Sequence, residues 1–172
     1  MSRPKLPEHA KLIIGLFTPE KSLCKPLVTE LEKQFGPVDY ISKWLRFNFT
    51  DYYTPEMGGP LFRRFLGFKQ LIEQDRLAGI KNFTNELELK WSQGGSRRVN
   101  IDPGYLLSSR FVLATGKNFS HRIYIGQSIY ADLTLLYSNG KFQVLPWTYP
   151  DYADHGVLKV LEQIRSKYRE ER

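Results

Sequence analysis

A single cysteine, Cys24, stands among 172 residues, so the chain has no partner for an internal disulfide and no thiolate set for a metal cluster. A buried thiol is the plain expectation for it. Histidine is scarce as well: His9, His121 and His155 show neither H-x-x-x-H nor H-E-x-x-H spacing, which removes the usual zinc signature. The C-x-x-C-H haem attachment, the G-x-G-x-x-G fingerprint of NAD sites and the G-x-S-x-G elbow of serine hydrolases are all missing. A P-loop requires G-x-x-x-x-G-K-[ST], because backbone amides cradle the phosphates while Lys and the hydroxyl hold phosphate and Mg²⁺. The nearest string, "FVLATGKN", has Phe111 in place of the first glycine and Asn118 after Gly116 and Lys117. No apolar run approaches the roughly 18 residues of a membrane span. The start "MSRPKLPEHAKLIIG" pairs a basic stretch with an apolar run too short for a secretory signal, and a cytoplasmic protein without a membrane partner is expected.

What is present fits one globular domain over residues 1–172, with 1–10 as a loosely ordered arm. Hydrophobic residues make up 41% and charged residues 25%, ordinary for a packed fold. Ten Tyr and eleven Phe favour a sheet, because large rings pack well on a pleated surface. The net charge of +7 and pI near 9.5 favour anionic partners. The bases are dispersed, however. In the tail "KVLEQIRSKYREER", Glu162, Glu170 and Glu171 interleave with them as on a solvated helix face, so nucleic acid is only weakly supported as a partner.

Periodicity supplies the elements. "KLIIGLF" (11–17) reads as a central strand; Leu23, Leu27, Leu31 and Phe35 predict a helix from Ser22 that Gly36 and Pro37 stop. Leu45, Phe47 and Phe49 alternate with polar neighbours as a strand, 50–60 is a loop, and 61–72 is a strand again. A helix over 75–91 buries Leu77, Ile80, Leu87 and Trp91. "RRVNI" is a strand, and Asp102-Pro103-Gly104-Tyr105 fits a type II turn. Residues 106–116 suit helix or strand, with a short helix preferred. Asn139-Gly140 marks a hairpin, and a helix over 154–169 closes the chain. The order strand, helix, strand, strand, helix, strand predicts α+β with a largely antiparallel sheet: a ferredoxin-like split βαβ core plus a C-terminal β-hairpin and helix.

The strings "FTDYYTPEMGG", "FTNELE", "RRVNIDPGYL", "LATGKNFSHRIYIG", "IYADLTL" and "PWTYPDY" resemble, in this order and over nearly the whole chain, a prokaryotic family known as domain of unknown function 4416. Its members are at times labelled GTP-binding protein. The resemblance implies no established activity. The chain departs from that family's pattern at Asp132, where Glu is usual, and at Ser128, where Gly is frequent.

One constellation carries the functional expectation. In a strand, Arg98, Asn100 and Asp102 share a face, while Val99 and Ile101 point the other way. Such a polar row is costly unless paired or wet. Lys81, Asn85 and Glu88 recur at helical spacing off the apolar stripe, as on a solvated face or one wall of a site. Lys117, Ser120, His121 and Arg122 crowd a strand entrance, Asp51 lies in an aromatic Gly/Pro-rich loop, and Tyr105 closes the predicted turn. Tyr149 and Tyr152 belong to another aromatic loop, suited to stacking on a ring or to core packing.

These types predict a small enzyme for a phosphorylated or nucleotide-like metabolite. His121 would be general acid or base, Asp102 would orient it, Arg98 and Arg122 would grip the anion, and Mg²⁺ could be held by Asp102 with Asp51 or Asp132. Two alternatives stay open: a non-catalytic nucleotide- or RNA-binding module, and an interaction domain in which the polar row is a structural network.

Overall fold

A computed structural model describes Met1 and residues 3–171. The chain runs β1 (Ala10–Thr18), α1 (Cys24–Phe35), β2 (Val38–Ile41), β3 (Leu45–Phe47), α2 (Thr54–Met57), β4 (Leu61–Ile72), α3 (Leu77–Lys90), β5 (Asn100–Leu107), β6 (Arg110–Thr115), β7 (Arg122–Tyr124), β8 (Tyr130–Ser138), β9 (Lys141–Val144) and α4 (His155–Glu170). The strands form one sheet in the order β2-β4-β1-β5-β6-β8-β7, with β3 on β4 and β9 on β8. Every pairing is antiparallel. β4 fills the gap between β1 and β2, and β1 fills the gap between β4 and β5, which makes the two interlocked split βαβ units of the ferredoxin-like core. The class is therefore α+β, as the order of elements predicts.

Alternation sorts side chains between the two faces. Leu12, Ile14 and Leu16 of β1 lie on the face covered by α1 and α3; on that side Phe35 of α1 meets Phe68 of β4 and Phe83 of α3 edge-on, at 5.8 and 5.3 Å between ring centroids. Cys24, Leu27, Leu31 and Phe35 recur at helical spacing and are all buried. The opposite face carries Lys11, Ile13, Gly15 and Phe17, and α4 crosses one end of it. There Ile164 packs over Gly67, and Tyr168 donates to the His9 carbonyl at 2.7 Å. At the other end of this face the short α2 sets Met57 against Phe17.

Two expectations fail, each for a physical reason. Asp102-Pro103-Gly104-Tyr105 is no turn: β5 continues through it, with Gly15↔Asp102, Ile14↔Pro103 and Ile13↔Gly104 in register with β1. β6 pairs with β5 only from Gly104↔Leu113 to the hairpin end and then diverges along β8. Ile101 points its N–H and C=O away from β1, towards Glu88 and Lys81, so Pro103, two residues on, aims its ring nitrogen the same way and leaves no donor unpaired. Gly104 serves proximity: a Cβ there would stand 2.5 Å from the Val112 carbonyl oxygen.

Residues 106–116 are not a helix. They complete β5, turn at Ser108 and Ser109, and return as β6. Their run is apolar because both faces are buried, which erases the period that separates strand from helix. The loop 50–60 contains one helical turn, α2. Between β7 and β8 the chain turns through Gly126, Gln127 and Ser128, all at positive φ, with Ser128 at 61°.

Candidate functional site

The site begins where β5 and β6 part. Along the freed edge of β5, α3 supplies the missing bonds: Glu88 Oε1 accepts the Ile101 N–H at 2.6 Å, and Lys81 Nζ donates to the Ile101 carbonyl at 3.0 Å. Lys81, Asn85 and Glu88 all face the gap, so the spacing of four and three marks a wall of the site and not a solvated helix face. The result is a cleft of about 710 Å³ between this edge, the end of β6, and the 145–154 segment that leads into α4.

Asp102 forms the floor. Its carboxylate accepts from the Asn100 amide at 2.8 Å, and stands 3.6 Å from Lys81 Nζ and 3.8 Å from an Arg63 terminal nitrogen. Its side chain retains 27% exposure, although Arg63 beside it keeps only 3%. Arg63 also pairs with Asp151 and sits in an aromatic box, its guanidinium carbon 4.8 Å from the Phe47 ring centroid and 4.9 Å from that of Tyr152. Such desolvated cation–ring contacts help offset the cost of burying the charge. Gly15, opposite Asp102 in β1, is bare so that Tyr152 can settle: an added Cβ would lie 3.1 Å from both the Tyr152 hydroxyl and Phe65 Cε1.

A small apolar cluster of Phe17, Phe47, Met57 and Leu61 with Tyr53 makes the side wall, Phe17 and Phe47 stacking at 4.4 Å. Burial, with the charge of Asp102 added, pushes the Tyr53 phenol up to about 12, so it remains a hydroxyl at neutral pH. Burial likewise raises Glu88 above the usual carboxylate range, against the pull of Lys81 and the Ile101 N–H. Arg97 closes the rim: it clamps Glu56 through two bonds of 2.8 and 2.7 Å and donates to Asn100 Oδ1 at 2.8 Å. Lys117 stands at the mouth with Nζ 4.9 Å from the Tyr52 ring centroid, and no carboxylate among the described residues pairs with it.

The expected residues divide into two groups. Asp102, Asn100, Lys81, Asn85 and Lys117 line the cleft. Arg98 does not join Asn100 and Asp102: it precedes β5, and its guanidinium is held outside by Glu20 at 3.0 and 2.7 Å. Arg97 takes the place expected of Arg98, because the chain enters β5 through a bend and strand alternation does not extend back to residue 98. Tyr105 lies on the opposite face of β5 from Asp102, in the main core. Ser120 and Asp51 are exposed and outside the cleft lining.

His121 is outside the lining as well. It stacks on Trp147 at 5.0 Å and meets Asp132 at 3.0 Å, so Asp102 does not orient it. Asp132 also accepts from Arg122 Nε at 2.9 Å, and Arg122 goes on to bind the Lys117 carbonyl and the Tyr149 hydroxyl. Asp102 lines the cleft while Asp51 and Asp132 lie outside its lining, and among the described residues no group of three or more His, Cys, Asp or Glu side chains forms a metal site.

Arg63, Arg97 and Asp151 join the cleft beyond the residues that the sequence pattern points to. The visible signal for Arg63 is the pair Arg63-Arg64 inside "LFRRFLGF", which must send one guanidinium to each buried face of a central strand. A second hollow of about 450 Å³ near the start of α3 is lined by Glu73, Asp75, Arg76 and Gln127, and none of the unpartnered buried polar atoms of the described residues lies in it. Two such atoms, Arg63 Nε and the Tyr152 hydroxyl, belong to residues of the larger cleft.

The sequence profile of the family described as Domain of unknown function (DUF4416) matches residues 8–168. No curated protein matches the chain, and no solved structure does. No helix among the described residues is long and apolar enough to cross a membrane.

Proposed function

The chain belongs to the family described as Domain of unknown function (DUF4416), and we propose that its cleft binds a small anionic metabolite carrying a flat ring, of the phosphorylated or nucleotide-like class, in the cytoplasm. The observation that carries this is the pair of unpartnered buried groups, Tyr152 hydroxyl and Arg63 Nε, beside an open cleft. Polar atoms taken out of water are nearly always paired, and those left over at a cavity call for a ligand or water to complete them. The mouth supplies the preference for an anion: no carboxylate among the described residues pairs with Lys117. Tyr52 and Tyr149, both exposed at the rim, offer flat faces for a ring.

Calorimetric titration of the full chain with nucleoside monophosphates and sugar phosphates tests this. Binding at micromolar to millimolar level is expected, with Lys117→Ala and Tyr52→Ala each weakening it about tenfold while leaving the melting temperature unchanged. No binding by any of these probes, or binding indifferent to Lys117→Ala, overturns the proposal. Affinity that grows with polynucleotide length and falls steeply with salt would point instead to an RNA-binding module.

A catalytic role is favoured by one observation: Glu88 brings a carboxyl with a raised pKa to the cleft wall, which suits proton donation nearer neutral pH. Glu88→Gln would then stop turnover of a bound metabolite and preserve its binding.

A further inference from the structure

We infer that the cleft is polarised and reads a hydroxylated ligand: the anion stays at the mouth on Lys117, and ring hydroxyls, as in a ribose, reach down to Asp102 and Tyr152. This rests on the proposed ligand class and narrows it.

The floor and the mouth differ in what they lack. At the floor Asp102 is a carboxylate with its nearest cations at 3.6 and 3.8 Å, longer than a charged hydrogen bond, and among the described residues its one bond within 3.0 Å comes from the Asn100 amide. An ionised carboxylate accepts at about four lone-pair positions, so Asp102 has acceptor capacity left on its wet side. Beside it the Tyr152 hydroxyl, on a residue only 2% exposed, has no partner at all, and Arg63 Nε is a donor without an acceptor. Burial pushes the Tyr152 phenol well above its usual value, so this oxygen keeps its proton and offers both donor and acceptor.

A phosphate placed on this floor would meet Asp102 charge to charge. A hydroxyl does not: it donates to the carboxylate and accepts from Tyr152 or Arg63 at once. An acceptor-only floor would suit an amine as well, but the free donors of Tyr152 and Arg63 need an acceptor in the ligand, which an ammonium lacks. The neighbouring cations Lys81 and Arg63 already face Asp102, and the anion-binding role falls to Lys117, the cation of the cleft lining that no carboxylate among the described residues pairs with.

The experiment compares adenosine and uridine monophosphates, their 2′,3′-dideoxy counterparts, and phenyl phosphate by calorimetry on the native full-length chain. The hydroxylated nucleotides are expected to bind about tenfold or more tightly than the other two, the effect of hydrogen bonds to a charged acceptor. Asp102→Asn should bring the three classes to similar affinity while phosphate dependence persists; Lys117→Ala should weaken all three alike. Equal affinity of hydroxylated and dideoxy ligands in the native chain overturns this inference and leaves the ligand class standing. A ribose preference that survives Asp102→Asn in a folded variant overturns the assignment to Asp102. No binding by any probe overturns the ligand class, and the polarity with it.

Discussion

Asp102 and Asp132 are carboxylates of the same antiparallel sheet, each placed against an arginine, and only one of them is finished. Asp132 has a side chain 2% exposed and accepts from Arg122 at 2.9 Å, His121 at 3.0 Å and Thr134 at 3.3 Å. Asp102 is 27% exposed, with its cations beyond 3.5 Å and one close amide donor. A buried carboxylate with three donors around it ties elements together; in this case Arg122 binds β8, the 116–121 loop and Tyr149 in one knot. A carboxylate with lone pairs to spare, beside unpartnered donors, is positioned for something that is not part of the chain.

The sharpest way to break this contrast is to make the same change at both positions. Asp132→Asn leaves a buried guanidinium facing an amide and should cost roughly 3 kcal/mol, lowering the melting temperature by about 6–12 °C in a domain of this size. Asp102→Asn should cost less than about 1 kcal/mol, because Arg63 retains Asp151 and water reaches the site. Urea midpoints of the two variants check this; equal losses would erase the distinction. His121 falls on the Asp132 side of the contrast. His121→Ala removes its stacking on Trp147 and its bond to Asp132, for about 1–2 kcal/mol. An unchanged midpoint together with lost activity would instead place His121 at the chemistry.

The contrast was partly legible in the sequence. The βαββαβ order, the hairpin at Asn139-Gly140 and the apolar stripe of α1 follow from local periodicity, and each is present. The register of Asn100 with Asp102, and the shared flank of Lys81, Asn85 and Glu88, follow from the same rule. What periodicity could not supply is where β6 leaves β5. That divergence makes Pro103 an edge residue instead of a turn residue, opens the cleft, and carries the His121 end of the chain away along β8 with Asp132. Arg63 was hidden for a related reason: its partners Asp151 and Asp102 lie 88 and 39 residues away in sequence, and no short window contains them.

Gly15 links the open carboxylate to the backbone beneath it. Gly15→Ala brings a methyl to 3.1 Å from both the Tyr152 hydroxyl and Phe65, in a strand buried along its whole length, and should cost about 1–3 kcal/mol. Tyr152 and Phe65 must both give way, so ligand affinity should fall together with stability. A Gly15→Ala variant of reduced stability and full affinity would show that Tyr152 does not contribute to the floor.

The smallest effect concerns two glutamates that meet one guanidinium. Glu56 takes two bonds from Arg97, which hold its carboxyl below the usual range; Glu88 is buried, which raises its own. The signs are opposite. Glu56 lends stability above 4.5, its unfolded value, and that share is lost as pH falls through the lowered folded value. Glu88 binds its proton more tightly when folded, so its share is full below 4.5 and is lost as pH rises through the raised folded value. Glu88→Gln keeps an oxygen for the Ile101 N–H and removes the titration. Urea midpoints taken from about pH 4 to about pH 8 should show the native chain losing ground to Glu88→Gln as pH climbs. Parallel curves would mean that Glu88 binds its proton no more tightly in the folded chain than in the unfolded one.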